Sequence, residues 1–247
     1  MNVGITAIAL ISGYLLGSIS FARILGKWFA PGEDLSMTEV VLSESDDAFE
    51  MHSVSATSLA FRKGPRVGCL VSILDMLKAT IPVLVFKIAF PELEYYWFTA
   101  AGAVIGHNFP IYYGFKGGRG MSPLYGGLFV IDWLAIPITT VAGMLFGVFI
   151  LRDMFAAWTL GVPLLVIWMA YRYQSPIPVI YSILVTIAFS AAIYPELKDH
   201  FKNRREGTTE PVNVKSFFSG ASNMFVRRGG RSDTNSDPTS SGPADEI

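Results

Sequence analysis

The sequence predicts an all-α integral membrane protein with about seven transmembrane helices, its N-terminus outside and its C-terminus inside. Three observations support this fold class: 51% of the 247 residues are hydrophobic, only 16% are charged, and the mean hydropathy is +0.44. Soluble domains have about 25% charged residues, so much of this surface is expected to face lipid. The near-equal numbers of basic and acidic residues, 19 and 20, provide no basic surface for a nucleic acid.

Seven apolar segments are the candidates for these helices. A helix that crosses a bilayer needs about 20 apolar residues, and most of the segments approach that length. They are residues 3–21, 67–90, 95–113, a short segment 121–131, 133–151, 154–171 and 178–194. The first segment has no basic residue before it and has Arg23 and Lys27 just after it, as in an uncleaved anchor rather than a signal peptide.

The distribution of basic residues predicts the orientation. With the N-terminus outside, sixteen lysines and arginines fall on the inner side and only Arg172 falls on the outer side. Cytoplasmic loops of membrane proteins are enriched in Lys and Arg. The short polar loops are therefore expected at the cytoplasmic face of the cell membrane.

Two stretches lie outside the membrane segments. Residues 30–50 contain seven acidic residues and no apolar periodicity, which predicts a cytoplasmic loop inserted into a membrane domain of residues 1–205. Residues 206–247 are rich in Gly, Ser, Thr and Pro, a composition that buries too little apolar area to offset the entropy of ordering. This tail is expected to be disordered, and the oligomeric state stays open.

The strongest chemical signal is the segment 106–120, GHNFPIYYGFKGGRG, between the third and fourth apolar segments. Its glycines allow a tight turn with accessible N–H groups, and its two cations lie beside them. Such a loop at a helix N-terminus suits a phosphate. KGGRG alone is also compatible with an ordinary basic loop at the inner membrane surface, but the preceding GHNFP favours the phosphate site. The candidate residues are His107, Lys116, Gly117, Gly118, Arg119 and Gly120.

A second polar cluster, HSVSATSLAFRKGPRVG at residues 52–68, leads into the second apolar segment. Hydroxyl and basic side chains near a membrane surface suit a polyol phosphate. A solvated loop ahead of a helix would have much the same composition. The candidate binding residues in this cluster are Ser53, Thr57, Ser58 and Arg62.

Two spacings within the apolar segments predict contacts between helices. Asp75 and Lys78 are three residues apart and share one helical face. Because charges inside a membrane are costly and face the protein interior, this spacing predicts a structural ion pair. Gly13 and Gly17 have the small-xxx-small spacing that is typical of close helix packing.

Several catalytic and metal-binding patterns are absent from the sequence. No HxxxxD, HExxH, GxxxxGK[ST] or GxSxG pattern occurs. The single cysteine, Cys69, excludes an intramolecular disulfide and a CxxC metal or redox pair. Neither a metal nor a cofactor is expected.

The segment 106–120 is similar to the GHxFPxxxxFKGGKG signature of the bacterial PlsY family, the acyl-phosphate:glycerol-3-phosphate acyltransferases. Three further family patterns follow the same order along the chain. GYLLGSISF resembles the opening GYLLGSIPFG, and HSVSATSLAFRKGPRVG with LDMLKA resembles GNxGATNxxRxxGxxxG with LDxLKG. His200 and Asn203 match the closing HxEN. The resemblance covers residues 8–205 and implies seven helices with a site at the cytoplasmic surface.

This chain departs from the family mainly in the second pattern. Phe61 stands where the family has an arginine, with Arg62 beside it. Other family residues are replaced by Met51, His52, Ser53, Ser55 and Ser58. RYQS at 172–175 matches a further family pattern, RYxS, but the predicted topology puts it outside. Ser175 is therefore left out of the predicted site.

The resemblance implies transfer of an acyl group from acyl phosphate to the sn-1 hydroxyl of glycerol 3-phosphate, giving lysophosphatidic acid in phospholipid synthesis. It implies catalytic roles for Lys116, Arg119, His200 and Asn203. The substrates would be bound by Ser53, Thr57, Ser58, Arg62, His107 and the three glycines. Two alternatives remain open: a transporter subunit for a phosphorylated solute, and a divergent relative with another acceptor.

Overall fold

The computed structural model describes residues 1–29, 38–41, 48–51 and 54–207, all within one compact unit, Met1–Pro211. Most of these residues are helical. The first six helices are α1 (Val3–Gly17), α2 (Phe21–Phe29), α3 (Ala56–Lys63), α4 (Pro65–Ala89), α5 (Tyr95–Asn108) and α6 (Met121–Ile131). They are followed by α7 (Ala135–Leu145), α8 (Met154–Thr159), α9 (Gly161–Arg172), α10 (Pro176–Ala192) and α11 (Tyr194–Glu206). A 3-10 turn covers Ile111–Tyr113, and a π-helical segment covers Phe146–Leu151.

Two helices in the described part of the chain are long and apolar enough to cross a membrane. They are Val3–Phe29, which combines α1 and α2 over 27 residues, and α4 with 25 residues. The α10–α11 pair, bent by 64°, would be a third if it is counted as one span. Helix α6, Ala135–Leu151 and α9 are apolar but shorter. The helical membrane fold is therefore confirmed, and the count of seven spans stays a prediction.

A two-stranded antiparallel sheet forms between α2 and α3, where the sequence predicts only an acidic loop. Strand β1 (Thr38–Val41) pairs with β2 (Ala48–Met51), with Thr38 opposite Met51 and Val41 opposite Ala48. The predicted disorder of residues 208–247 lies outside the described residues.

Local capping groups determine where two of the helices begin. The Asn2 side chain accepts the N–H groups of Gly4 and Ile5 and so caps α1. Ser55 and Ser58 form a reciprocal capping box at the start of α3.

Glycines allow α1 and α5 to pack with their backbones in contact. A Cβ atom on Gly13 or Gly17 would collide with the α5 backbone, and one on Gly102 or Gly106 would collide with the α1 backbone. This contact confirms the close packing predicted from the Gly13–Gly17 spacing. It also fixes α5, which carries His107 at its C-terminal end.

The main apolar core lies between α4, α5, α6, α9 and α10. Its buried members include Val83, Trp97, Val104, Leu128, Leu165, Met169 and Val185. Many large apolar side chains on the outer helix surfaces stay exposed, as expected where a bilayer replaces water. We call the end of the bundle where α5 ends and α6 begins the site end. The opposite end, where α5 begins, is the far end, and there the Asn2 N–H donates to the Tyr95 hydroxyl at 2.7 Å.

Candidate active site

The loop between α5 and α6 folds back onto the last turn of α5. The Gly118 N–H donates to the His107 carbonyl at 3.1 Å, and the Phe115 N–H donates to the Pro110 carbonyl at 3.0 Å. A Cβ atom on Gly117 would collide with the His107 carbonyl, and one on Gly118 would collide with His107 Nε2. These glycines are therefore needed for close packing. The expectation that the Gly118 N–H faces a phosphate is corrected, because the fold already uses that donor.

Gly120 turns the chain into α6. It has a left-handed backbone with φ of 80°, and a Cβ atom there would collide with Asn108 Oδ1. Asn108 is buried, and its Nδ2 donates to the Ala188 carbonyl at 3.1 Å. The N-terminus of α6, with Met121 and Ser122, consequently opens into a cavity.

The cavity has a volume of about 710 Å³ and lies at the site end. Its polar groups come from the starts of α3, α6 and α11, one face of α4, the end of α5, the glycine loop, and α7 and α8. They are Ser55, Thr57, Ser72, Asp75, His107, Arg119, Ser122, Thr140, Thr159 and Glu196. Its apolar wall is formed by Met76, Met121, Tyr125, Met144, Met154, Phe155, Trp158, Phe189 and Ile193. The cavity is thus amphipathic.

Arg119 and Glu196 form the principal ion pair of the cavity. Arg119 Nη2 lies 3.0 Å from Glu196 Oε1, with the arginine side chain 30% exposed and the glutamate side chain 4% exposed. Among the described residues, neither Arg119 Nε nor Glu196 Oε2 has a hydrogen-bond partner. The pair therefore holds the guanidinium in place, and the exposed part of the group is open to a bound anion.

The sequence interpretation missed Glu196. The 64° bend between α10 and α11 turns this residue, in the first turn of α11, towards the cavity. The available signal was a carboxylate directly after a Tyr-Pro break that ends an apolar segment. Its partner lies 77 residues earlier, and no local pattern indicates that pairing.

A second charged cluster lies beneath the glycine loop, and it confirms the predicted ion pair. Lys78 Nζ lies 2.7 Å from Asp75 Oδ1, 2.9 Å from His107 Nδ1 and 2.5 Å from the Ile19 carbonyl oxygen. The Asp75 contact is a charge contact rather than a well-directed hydrogen bond. Asp75 and Lys78 are both buried, and Asp75 and His107 line the cavity.

The residues predicted in the second polar cluster have different environments. Thr57 is exposed and lines the cavity. Ser58 is buried, and its hydroxyl donates to the Ser55 carbonyl at 2.8 Å while accepting the Ser55 N–H at 2.9 Å, so that it holds α3. Phe61 lines the cavity, whereas Arg62 does not. Ser53 lies outside the described residues.

Two predicted catalytic residues lie away from the cavity wall. Lys116 is exposed on the loop, and its carbonyl accepts a hydrogen bond from Arg23 Nη2 at 2.9 Å. Asn203 is exposed on α11. Neither belongs to the cavity lining.

His200 connects α11 to the start of α8. Its Nε2 lies 2.7 Å from Asp153 Oδ2, which also accepts from Arg204 Nη1 at 2.9 Å. The imidazole stacks on Phe155 with ring centroids 4.7 Å apart. His200 is not among the cavity-lining residues, so the structure places it as a support for α11 rather than at the cavity surface.

Replacing Asp153 with asparagine is expected to destabilise the protein at neutral pH. Burial raises the pKa of this carboxyl, but the Ala156 N–H, His200 and Arg204 outweigh burial and hold the pKa below its ordinary value. A lowered folded-state pKa stabilises the protein above the unfolded pKa of about 3.9, and that contribution is lost as the pH falls through the folded value.

Thermal unfolding in detergent between about pH 3 and pH 7 tests this expectation. The Asp153→Asn variant should melt below wild type at pH 7, and the difference should shrink under acid. Asp199→Asn, a matched change at an exposed position of α11, should melt like wild type. If the melting temperatures of Asp153→Asn and wild type differed by the same amount at every pH, the charge of Asp153 would not be the source of the stabilisation.

The RYQS segment lies at the far end of the bundle. Ser175 Oγ donates to Glu94 Oε2 at 2.8 Å, and Arg172 Nε lies 3.2 Å from Asp132 Oδ2. Glu94 directly precedes α5 and Asp132 directly follows α6. The cavity lies at the other end of both helices, where α5 ends and α6 begins. This segment is separate from the candidate site.

Comparison with known proteins identifies related chains. The family model described as glycerol-3-phosphate acyltransferase matches residues 7–203. The glycerol-3-phosphate acyltransferase of Pseudothermotoga lettingae is 32% identical over 143 residues, which are 54% of this chain and 65% of the relative. That of Ehrlichia chaffeensis is 27% identical over 218 residues, which are 86% of this chain and 99% of the relative. The first relatives are matched over only 57 to 65% of their own length.

Two solved structures share the fold. Both are crystal structures of PlsY (YgiH), an integral membrane glycerol 3-phosphate acyltransferase. The glycerol 3-phosphate form has a TM-score of 0.64 and 23% identity, covering 86% of this chain and 98% of that chain. The lysophosphatidic acid form has a TM-score of 0.63 and 21% identity. Because the family match extends over most of the helical unit, the chain belongs to the glycerol-3-phosphate acyltransferase family.

Proposed function

We propose that this protein transfers the acyl group of an acyl phosphate to the sn-1 hydroxyl of glycerol 3-phosphate, giving lysophosphatidic acid for phospholipid synthesis. The amphipathic cavity is the observation that carries the proposal. Arg119 and His107 line it together with a wall of methionine and aromatic side chains. An acyl phosphate has the matching chemistry, an anionic head joined to a long apolar chain. Membership of the glycerol-3-phosphate acyltransferase family supports acyl transfer to glycerol 3-phosphate.

Arg119 is the principal phosphate-binding residue in this proposal. Its guanidinium is already oriented by the buried Glu196 carboxylate and is partly exposed to the cavity. Oriented cationic donors in a site with little water stabilise developing negative charge strongly. Lys116 lies exposed three residues earlier and attracts anions towards the loop from solvent.

The reaction needs no covalent acyl-enzyme, because the phosphate of an acyl phosphate is already a good leaving group. The sn-1 oxygen attacks the acyl carbon and forms the ester C–O bond, while the C–O bond to phosphate breaks. The proton of the hydroxyl leaves with the phosphate. Holding both substrates in contact supplies most of the acceleration, and the proposal requires neither a metal nor a nucleotide.

Thr57 is the candidate for orienting the glycerol 3-phosphate acceptor, since its exposed side chain lines the cavity. Ser58 and His200 act indirectly, by holding α3 and α11 in place. Direct roles for Ser53, Arg62 and Asn203 stay predictions from the family resemblance.

The proposal places the reaction at the cytoplasmic face of the cell membrane. Its support is the distribution of basic residues, sixteen of which fall on one side of the predicted topology and one on the other. The exposed apolar surface of the helices is consistent with lipid on the outside of the bundle.

Acyl transfer by the purified protein tests the proposal. Detergent-solubilised protein is given glycerol 3-phosphate with either an acyl phosphate or an acyl-CoA, and lysophosphatidic acid is quantified. Product is expected from the acyl phosphate alone. A folded protein that makes no product from either donor, or that prefers acyl-CoA, would contradict it.

Replacing Lys116 with alanine is expected to raise the KM for the anionic substrates by about tenfold and to leave kcat nearly unchanged. The reason is that Lys116 is exposed outside the cavity lining and acts through long-range attraction. The effect should weaken as salt is raised, because salt screens exposed charges. A kcat that falls more than a hundredfold would instead place the ammonium in contact with the reacting groups.

A further inference from the structure

Two serine hydroxyls on the cavity wall are not used by the fold. Most serine and threonine hydroxyls in these helices donate to a backbone carbonyl one turn earlier, as Thr159 does to Phe155 at 2.9 Å. Within the described part of the chain, neither Ser72 nor Ser122 has a hydrogen-bond partner. Both residues line the cavity and are half-buried, and neither oxygen is closed off from it. Their hydroxyls are therefore accessible to a ligand.

Ser72 and Ser122 lie at the same level on neighbouring helices. Helices α4 and α6 run in the same direction and are in backbone contact, since a Cβ atom on Gly126 would collide with the Met76 carbonyl. Ser72 is four residues before Met76, and Ser122 is four residues before Gly126. Because a helical turn has 3.6 residues, each serine lies one turn nearer the site end than this contact.

The serines lie between the cationic part of the cavity and its apolar wall. On the site-end side, Arg119 comes three residues before Ser122. On the other side, Met76 and Tyr125 belong to the apolar wall and lie about one turn further along α4 and α6. From the site end inwards, the cavity thus presents a guanidinium, then two hydroxyls, then apolar side chains.

An acyl phosphate has its groups in the same order. Its phosphate is followed by the acyl carbonyl, and the carbonyl is followed by the apolar chain. With the phosphate at Arg119 and the chain against the apolar wall, the carbonyl oxygen comes to the level of Ser72 and Ser122. A hydroxyl group can donate a hydrogen bond to such an oxygen.

We propose that the hydroxyls of Ser72 and Ser122 donate to the carbonyl oxygen of the acyl phosphate and stabilise the negative charge that develops there. As the sn-1 oxygen attacks the acyl carbon, an electron pair of the carbonyl moves onto this oxygen. The pair returns when the C–O bond to phosphate breaks, and neither serine gains or loses a proton. Donors placed at such an oxygen lower the barrier. The assignment rests on the proposed function, because it takes an acyl phosphate as the donor.

Binding of two unreactive ligands tests the contact without turnover. The ligands are heptadecylphosphonate and its β-keto derivative, in which the second carbon is a carbonyl as in palmitoyl phosphate. Titration calorimetry with the full-length protein in detergent gives both Kd values. We expect wild type to bind the keto ligand about fivefold more tightly than the alkyl ligand, and Ser72→Ala and Ser122→Ala to lose this preference. Ser12→Ala is the matched control, because the half-buried Ser12 donates to the Ala9 carbonyl of α1 and lies outside the cavity lining.

Acyl-transfer kinetics separate this role from binding of the acceptor. Ser72→Ala and Ser122→Ala should each lower kcat by about a hundredfold and leave the KM for glycerol 3-phosphate unchanged. Ser122→Thr keeps a hydroxyl and should stay within about tenfold of wild type. Ser12→Ala should retain the wild-type kcat, and all the variants should melt like wild type, because no hydrogen bond of the cavity wall is removed.

The outcomes of these experiments are distinguishable. If the alanine variants still prefer the keto ligand, the serines do not contact the carbonyl and the proposal is overturned. A raised KM for glycerol 3-phosphate at an unchanged kcat would place the hydroxyls at the acceptor, which also overturns it. A wild type that binds neither ligand overturns both this assignment and the proposed donor. If wild type shows the serine-dependent preference but makes no lysophosphatidic acid, the carbonyl contact stands and only the proposed reaction fails.

Discussion

Replacing Arg119 with glutamine is expected to lower the rate of acyl transfer by about a thousandfold. Arg119 is the only arginine or lysine among the described residues that line the cavity. Glutamine still has an N–H group that can donate towards Glu196, so the buried carboxylate keeps a partner and the fold should survive. What is lost is the positive charge and the planar set of donors that binds phosphate.

Two control variants make this experiment decisive. Arg66→Gln removes the same charge from an exposed position at the start of α4 and should leave the rate within about threefold of wild type. Arg119→Lys keeps the charge without the planar fork and should give an intermediate rate. If Arg119→Gln and Arg66→Gln turn over equally well, the phosphate does not bind at Arg119.

Replacing Gly17 with leucine is expected to cost more than about 4 kcal/mol of folding free energy and to abolish activity. The Cα of Gly17 faces the backbone of Ala103, so any side chain must push α1 and α5 apart. Overpacking usually costs about 1–3 kcal/mol because neighbouring side chains adjust, but here the obstacle is a backbone carbonyl. Separation of the helices would also displace Ile19, whose carbonyl accepts from Lys78, and His107 at the end of α5.

Thermal unfolding in detergent, together with the yield of monodisperse protein, measures this effect. Ala7→Leu is the matched control, because it adds the same bulk to an exposed position of α1. It should unfold at nearly the wild-type temperature. A Gly17→Leu protein that is as stable as Ala7→Leu would show that α1 and α5 separate at little cost.

The membrane helices could be predicted because apolar length and composition are local properties of a chain. A helix in lipid must satisfy its backbone hydrogen bonds internally, so every long apolar segment of this sequence became helical. The Gly13–Gly17 spacing likewise predicted a close helix contact, since it depends only on one face of one helix. That the partner is α5, and that α5 supplies Gly102 and Gly106 in return, was decided by packing.

The breaks between helices were harder to place. The predicted segment 154–171 is divided into α8 and α9, and the segment 178–194 is followed by the 64° bend into α11. That bend brings Glu196 into contact with Arg119. Asp153, the N-cap residue of α8, forms ion pairs with His200 and Arg204 of α11. These pairs are separated by 77, 47 and 51 residues along the chain. Neither hydrophobic periodicity nor a local motif predicts contacts between residues so far apart along the chain.

The class of protein, its apolar helices, the glycine loop and the family pattern can all be predicted from the amino-acid sequence. Each of these follows from composition or from residues close together along the chain. Which polar side chains reach the cavity depends on how the helices pack. Thr57, His107, Arg119 and Glu196 line it, while Ser58 and His200 support the helices around it. The physical reason is that a buried polar group must find a partner, and packing between distant segments decides which groups are paired and which stay available to a substrate.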